Sequence, residues 1–220
     1  MLKSTETRWF LNDQSLETIE KWFNGNELFF KDKDLFPRQD YYLNLLHKNL
    51  GIKIREPKKD ENGALKTQLE IKVLSSDDGA FKFNNGNTAY VNSWKKHSFS
   101  LVPNEKETNE IISLFLPEAS NTNNWLKVDK DRLLVKFNAQ NEKLVSSDSM
   151  IDEGAGIELT KLKINGNVYY SLGIEAFSVS SKEHENFHSA TNYLFNDLKI
   201  SGLDKDDSLS YPEKLISLSK

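Results

Sequence analysis

Short segments in which apolar and polar residues alternate recur along most of this chain. The clearest are Ile52-Lys53-Ile54-Arg55 and Leu69-Glu70-Ile71-Lys72, which alternate strictly between aliphatic and charged residues. A period of two sends successive side chains to opposite faces of a strand, so Lys53, Arg55, Glu70 and Lys72 occupy charged faces. Residues 5–11 repeat the pattern, with Glu6 and Arg8 on one face and Thr7, Trp9 and Leu11 on the other. Residues 40–46 fit strand or helix by periodicity, and the pair Tyr41-Tyr42 favours strand. A turn cluster at 58–63 makes the two charged strands hairpin partners or near neighbours. Strands at 81–83 and 88–91 flank Asn84-Asn85-Gly86-Asn87, whose Asn and Gly accept positive φ. Further strands are expected at 94–102 and 132–138, and a hairpin of 157–164 and 168–177 turns at Asn165-Gly166.

Between these lie segments of helical period. Leu16, Ile19 and Phe23 recur through 15–24, and Gly25 stands where a helix commonly ends. Residues 104–116 read as a helix opened by the capping-box spacing Asn104/Glu107 and stopped by Pro117. A long helix is expected over 182–199, with Ser180/Glu183 as its capping box and Gly202 beyond it. Tyr211-Pro212 introduces a short terminal helix. The segment to Pro37 and residues 121–124 read as loops. About eight strands with a few helices and no internal repeat predict one α+β domain over 1–220, built on a large antiparallel sheet or barrel. Its C-terminal helices begin at about 181.

The charged faces repeat from strand to strand. After Glu6, Arg8, Lys53, Arg55, Glu70 and Lys72 come Lys96 among Ser98 and Ser100, then Arg132 and Lys136, Glu158 and Glu175. On a flat exposed sheet such charges are simply solvated. If amphipathic helices cover the apolar face, the charged face can line a barrel interior instead. Buried charge is tolerated only when paired or engaged by a ligand. An interior richer in cations than in carboxylates suits a polyanion, with the carboxylates free to hold a divalent metal. Periodicity alone does not establish closure.

The order of these segments is similar to that of a known family. Glu6-Thr7-Arg8, a helix, Gln39-Asp40-Tyr41-Tyr42-Leu43, the two alternating segments, Gly173-Ile174-Glu175, and the ending Leu209-Ser210-Tyr211-Pro212-Glu213-Lys214-Leu215-Ile216 together resemble the CYTH superfamily. These are the triphosphate tunnel metalloenzymes, including class IV adenylyl cyclases, thiamine triphosphatases and inorganic triphosphatases. The resemblance implies an α+β fold around a closed eight-stranded antiparallel barrel, the triphosphate tunnel, with flanking helices. It implies a small triphosphate or polyphosphate as ligand. Arg8, Lys53, Arg55, Lys72, Lys96, Arg132 and Lys136 would be its phosphate ligands. Glu6, Glu158 and Glu175 would hold Mg or Mn, with Glu6 and Glu175 catalytic. Several positions depart from the family pattern, and neither Thr160 nor Lys161 supplies the acidic residue often seen in the strand before the closing one, where Glu158 is an offset candidate. Ser4 stands where the first carboxylate is expected, Arg8 replaces a lysine, and Gly173 replaces the first glutamate of the closing strand. A metal-dependent phosphohydrolase and a non-catalytic polyphosphate or nucleotide binder with a degenerate metal site both remain open.

Composition narrows the choice. The net charge of −4 argues against a general nucleic-acid binder but not against a locally basic cavity. The chain has no cysteine, which excludes thiol catalysis, disulfides and thiolate metal sites. No apolar stretch approaches the ~20 residues of a membrane span, and the opening MLKSTETRWF lacks a signal-peptide core. A soluble, cytoplasmic protein is expected, and the sequence leaves open whether it pairs as a homodimer. One rival motif is present. His184-Glu185-Asn186-Phe187-His188 matches H-E-x-x-H, which on a helix could chelate zinc with Glu185 as general base and Glu213 as a remote third ligand. The plainer reading turns Phe187, Ala190 and Leu194 to the sheet and both histidines to water. His47 and His97 stand alone, and Trp9, Trp22, Trp94 and Trp125 read as core or helix-packing residues. There is no Ser/His/Asp array and no glycine-rich phosphate loop.

Overall fold

A computed structural model of the chain describes residues 2–25, 38–59, 65–101 and 125–218. The helix expected at 104–116 and the loops before Pro37 and at 121–124 lie outside these residues, as does part of the turn at 58–63. In order the strands are β1 (Leu2–Phe10), β2 (Arg38–Leu43), β3 (Leu50–Lys59), β4 (Leu65–Lys82), β5 (Thr88–Leu101), β6 (Trp125–Asn138), β7 (Lys143–Ser146), β8 (Glu153–Ile164) and β9 (Asn167–Ser178). Three α-helices accompany them among the described residues: α1 (Asp13–Asn24), α2 (Glu183–Leu198) and α3 (Tyr211–Ser217).

The sheet runs β2-β3-β4-β5-β1-β9-β8-β6, and β6 then pairs back onto β2 from Arg38↔Lys130 to Leu43↔Trp125. Eight antiparallel strands therefore close into a barrel, which leaves no free edge within the ring. The short β7 pairs with β6 outside the ring. Two of the expected strands prove to be parts of longer ones. The single β4 spans both 69–72 and 81–83, because bulges at Leu74/Ser76 and Asp77/Gly79 carry the pairing through the polar SSDDG run. Gly79 takes φ +80 there, a conformation few side chains tolerate. Likewise β5 joins the strands expected at 88–91 and 94–102.

The apolar faces point outward and are covered by helices. Trp9, Val135, Phe137, Ile157, Leu172 and Ile174 form one buried cluster with Ile19 and Phe23 of α1 and Phe187, Ala190, Leu194 and Phe195 of α2. Each large side chain buried this way contributes roughly 1.5–3 kcal/mol. The Trp9 indole N–H donates to the Thr88 carbonyl at 2.8 Å. Helix α1 starts at Asn12, whose side chain accepts from the Ser15 amide. Helix α2 lacks the expected capping box: its N-cap is Lys182, and the Ser180 hydroxyl donates instead to Glu153 at 2.8 Å. Helix α3 has a true capping box, Ser210 with Glu213. It packs against the barrel at one end, where Leu215 joins Tyr42, Val128, Leu162 and Ile164 in a second apolar cluster. Ser210, Tyr211 and Pro212, at the start of α3, line the same cavity as the inward charges.

Candidate anion-binding tunnel

Among the described residues, inward-facing positions of six strands bring eight cations together: Arg8, Arg38, Lys53, Arg55, Lys72, Lys96, Lys130 and Arg132. Glu6, Glu70, Glu158 and Glu175 line the same cavity, and Asp40 lies behind its wall. The cavity has a volume of about 160 Å³ and opens to solvent.

The charges form four groups. In the first, Asp40 is fully buried and receives Arg38 at 2.9 Å, Lys130 at 3.0 Å and Lys53 at 3.5 Å. Burial alone would raise its carboxyl, but the Lys53, Lys130 and Arg38 charges outweigh it and hold the group far below the ordinary range. Lys130 also donates to the Tyr42 hydroxyl at 2.7 Å and lies over the Tyr42 and Tyr211 rings, 4.8 and 4.2 Å from their centroids. Burial lowers the Lys130 ammonium and pushes the Tyr42 hydroxyl up to about 12. The same group contains Arg38 Nε, Asp40 Oδ1 and the Tyr211 hydroxyl, buried atoms with no protein partner. Polar atoms left in that state are costly unless something else bonds them.

In the second group, Glu70 accepts from Lys53 at 2.8 Å and from Arg55 at 3.1 Å. Its burial is outweighed by Lys53, so the carboxyl falls to about 2. The third group surrounds Glu158, which accepts from Arg8 at 2.6 Å and Arg132 at 3.3 Å. Those two arginines overcome its burial and keep it well below the ordinary range. Arg8 also donates to Ser171 Oγ at 2.8 Å, and its guanidinium lies 4.3 Å from the Tyr211 ring centroid.

Glu6 and Glu175 face each other across β1 and β9. The Lys72 ammonium pairs with Glu6 and lies 3.6 Å from Glu175. Ser4 donates its hydroxyl to Glu6 at 2.5 Å. Burial, together with the facing Glu175, raises the Glu6 carboxyl even so. Lys72 pulls the more open Glu175 down to about 2. Across the next strand pair Lys72 stands opposite Lys96.

Nine of the ten residues singled out from sequence line this one cavity; Lys136 does not. It lies further along β6 and donates to the Ser149 carbonyl at 2.8 Å. Trp94, expected in the core or against a helix, lines the tunnel with Lys72 5.8 Å above its ring. Arg38, Asp40, Tyr42 and Lys130 were missed as a group, although a signal existed. Arg38, Asp40 and Tyr42 alternate along β2, and Lys130 precedes Arg132 by two in β6, whose start was placed seven residues late.

The H-E-x-x-H pair is exposed on α2. His188 packs on the Phe81 ring at 5.0 Å and His184 Nε2 lies 3.3 Å from Ser93 Oγ. Glu213, their imagined third partner, is taken up in the capping box of α3. Among the described residues, no three His, Asp or Glu side chains are grouped so as to hold a metal ion. No helix among them is long and apolar enough to cross a membrane.

No protein-family model matches the sequence, and no curated protein matches it. Solved structures do. The Pyrococcus horikoshii protein PH1819 is similar at 16% identity and a TM-score of 0.47, covering 98% of this chain and 99% of its own. The Mimivirus capping enzyme triphosphatase is 10% identical, with a TM-score of 0.45 over 90% of each chain. A Hippeastrum protein described as having a dominant triphosphatase activity is 11% identical, with a TM-score of 0.43 over 90% of this chain and 88% of that one. By its own strand order, closure and inward charge, the chain has the fold that the CYTH resemblance implied, an eight-stranded antiparallel tunnel with flanking helices.

Proposed function

We propose that the barrel interior binds the phosphate chain of a small triphosphate or polyphosphate. The observation that carries this reading is the convergence of eight cations from six strands on one cavity against five carboxylates, an excess of three positive charges. Cations crowded this way in a shielded interior call for an anion. The mix suits phosphate oxygens, because arginine offers a planar bidentate fork and lysine a compact charge.

Hydrolysis of that ligand is the second reading, and Glu6 supports it. A carboxyl raised by burial and by a facing carboxylate moves toward the range useful for a general base. The Mg or Mn expected on Glu6, Glu158 and Glu175 does not fit the donor set. Both Glu158 oxygens are engaged by arginines, and Lys72 lies on Glu6 and near Glu175.

The test is to melt the purified protein with inorganic triphosphate, ATP and thiamine triphosphate, and to follow phosphate release in parallel. A ligand at 100 times its Kd stabilises the folded chain by about 2.7 kcal/mol, so the melting temperature rises by several degrees. If none of the three shifts it, the reading is wrong. Phosphate release that Glu175→Gln abolishes supports hydrolysis; stabilisation without release supports binding alone.

A further inference from the structure

We propose that the tunnel takes its polyphosphate free of metal, with two side-chain cations standing where a divalent ion would be held. The inference rests on the polyphosphate reading above and concerns what neutralises the acidic wall. The Lys72 ammonium pairs with Glu6 and reaches toward Glu175, so the two facing carboxylates share one organic cation. Ser4 adds a hydroxyl donor to the same Glu6 oxygen that Lys72 approaches, Oε1. Ser4 is itself buried, at 2% exposure.

The second cation is Arg8. Its guanidinium crosses β9 directly over Gly173, its register partner, and reaches Ser171 and Glu158. A Cβ at Gly173 would fall 2.6 Å from Nη2 and 2.8 Å from Cζ of Arg8. The space a second acidic side chain of β9 would need is therefore already filled by a guanidinium. The large cation and the missing side chain are one adaptation, and its effect is to replace an oxygen donor with a positive charge.

Calorimetric titration of the full chain with inorganic triphosphate, at fixed ionic strength, tests this in two arms. One contains EDTA, the other several millimolar Mg²⁺ or Mn²⁺. The expected Kd in EDTA is equal to that with metal or lower, because complexation consumes the free anion. A Kd at least tenfold lower with metal, or binding seen only with metal, overturns the inference and leaves the polyphosphate reading standing. Absence of binding in both arms overturns the two together. Glu6→Gln gives an independent check. Removing one carboxylate frees Lys72 for the ligand, so triphosphate binds severalfold more tightly in EDTA. A metal centre built on Glu6 predicts weaker binding of triphosphate by Glu6→Gln in the Mg²⁺ or Mn²⁺ arm, and that result would refute the proposal. Lys72→Met uncovers Glu6 and Glu175. Mn²⁺ alone then raises its melting temperature, where it leaves the native protein unchanged; a Mn²⁺-induced rise in the native protein counts against the idea.

Discussion

Gly173→Ala isolates the contact on which the acidic wall is built. The new Cβ would lie 2.6 Å from Arg8 Nη2, 2.8 Å from Cζ and 3.0 Å from Nη1, so the guanidinium must move. An arginine head on the surface would swing aside at little cost. This one is fixed by Glu158 at 2.6 Å, Ser171 at 2.8 Å and the Tyr211 ring at 4.3 Å. Giving up the charged hydrogen bond costs about 1.5–3 kcal/mol. Arg132 still neutralises Glu158 at 3.3 Å, which keeps the loss near the lower end. Alanine returns ~0.5–1 kcal/mol by restricting the unfolded chain. The net expectation is a destabilisation of about 0.5–1 kcal/mol, or roughly 1–4 °C in melting temperature for a chain of this size. Urea unfolding of the native protein, Gly173→Ala, Arg8→Lys and the double variant closes a cycle. The narrower lysine head relieves the clash, so the double variant is more stable than the sum of single costs by about 1 kcal/mol. A neutral or stabilising Gly173→Ala, or strictly additive costs, would refute the coupling.

Asp40→Asn leaves Arg38, Lys53 and Lys130 facing each other without their shared carboxylate. Urea unfolding should show a loss of about 3–5 kcal/mol, and a loss below about 1 kcal/mol would mean the three cations are already satisfied elsewhere. Acid should unfold the protein steeply. Asp40, Glu70 and Glu158 have folded values below their unfolded ones, so their stabilisation is complete above the ordinary carboxylate range and disappears as pH falls toward about 2. Glu6 is raised and acts in the opposite sense, its contribution being lost as pH rises through its folded value. With Glu175 also lowered, four tunnel carboxylates against one give a net fall below about pH 4.5, each proton adding ~1.4 kcal/mol per pH unit to the slope. Unfolding followed from pH 7 to 2 checks this, and a flat profile to pH 3 contradicts it. His184→Ala with His188→Ala should leave the triphosphate-induced melting shift unchanged, since both side chains lie on the outer surface of α2. A lost shift would tie that helix to the tunnel.

The alternation of charged and apolar residues places ten of the twelve charged residues that line the cavity, all but Arg38 and Lys130, because a two-residue period fixes which side chains share a face. It was weaker on the extent of strands. The polar run through Ser75 and Ser76 hides the continuity of β4, because bulges keep a strand paired where its pattern breaks. The late start assigned to β6 hid Lys130, and with it the group around Asp40. Closure itself is not legible in period, since it depends on β2 meeting β6 across more than eighty residues of sequence. The capping box expected at Ser180 failed for a tertiary reason: Glu153, from β8, competes for that hydroxyl and also accepts from Asn186 at 2.8 Å.

Closure is what converts an ordinary pattern into a site. Each pair, such as Lys53 with Glu70, would be worth ~0–1 kcal/mol on an open sheet, where water screens both partners. Inside the ring, the strands also bring like charges near one another, as Lys72 and Lys96 show by facing across β4 and β5. The carboxylates relieve only part of this repulsion, because each is already shared by two or three cations, as with Glu70, Glu158 and Asp40. The folded barrel therefore carries an electrostatic cost that its outer core, centred on Trp9 and α2, must outweigh. A polyphosphate bound as proposed would relieve that cost. Affinity and stability are then two readings of one quantity. Substitutions that remove a tunnel cation, such as Lys53→Met, should weaken binding while sparing the empty barrel more than the removal of a carboxylate does.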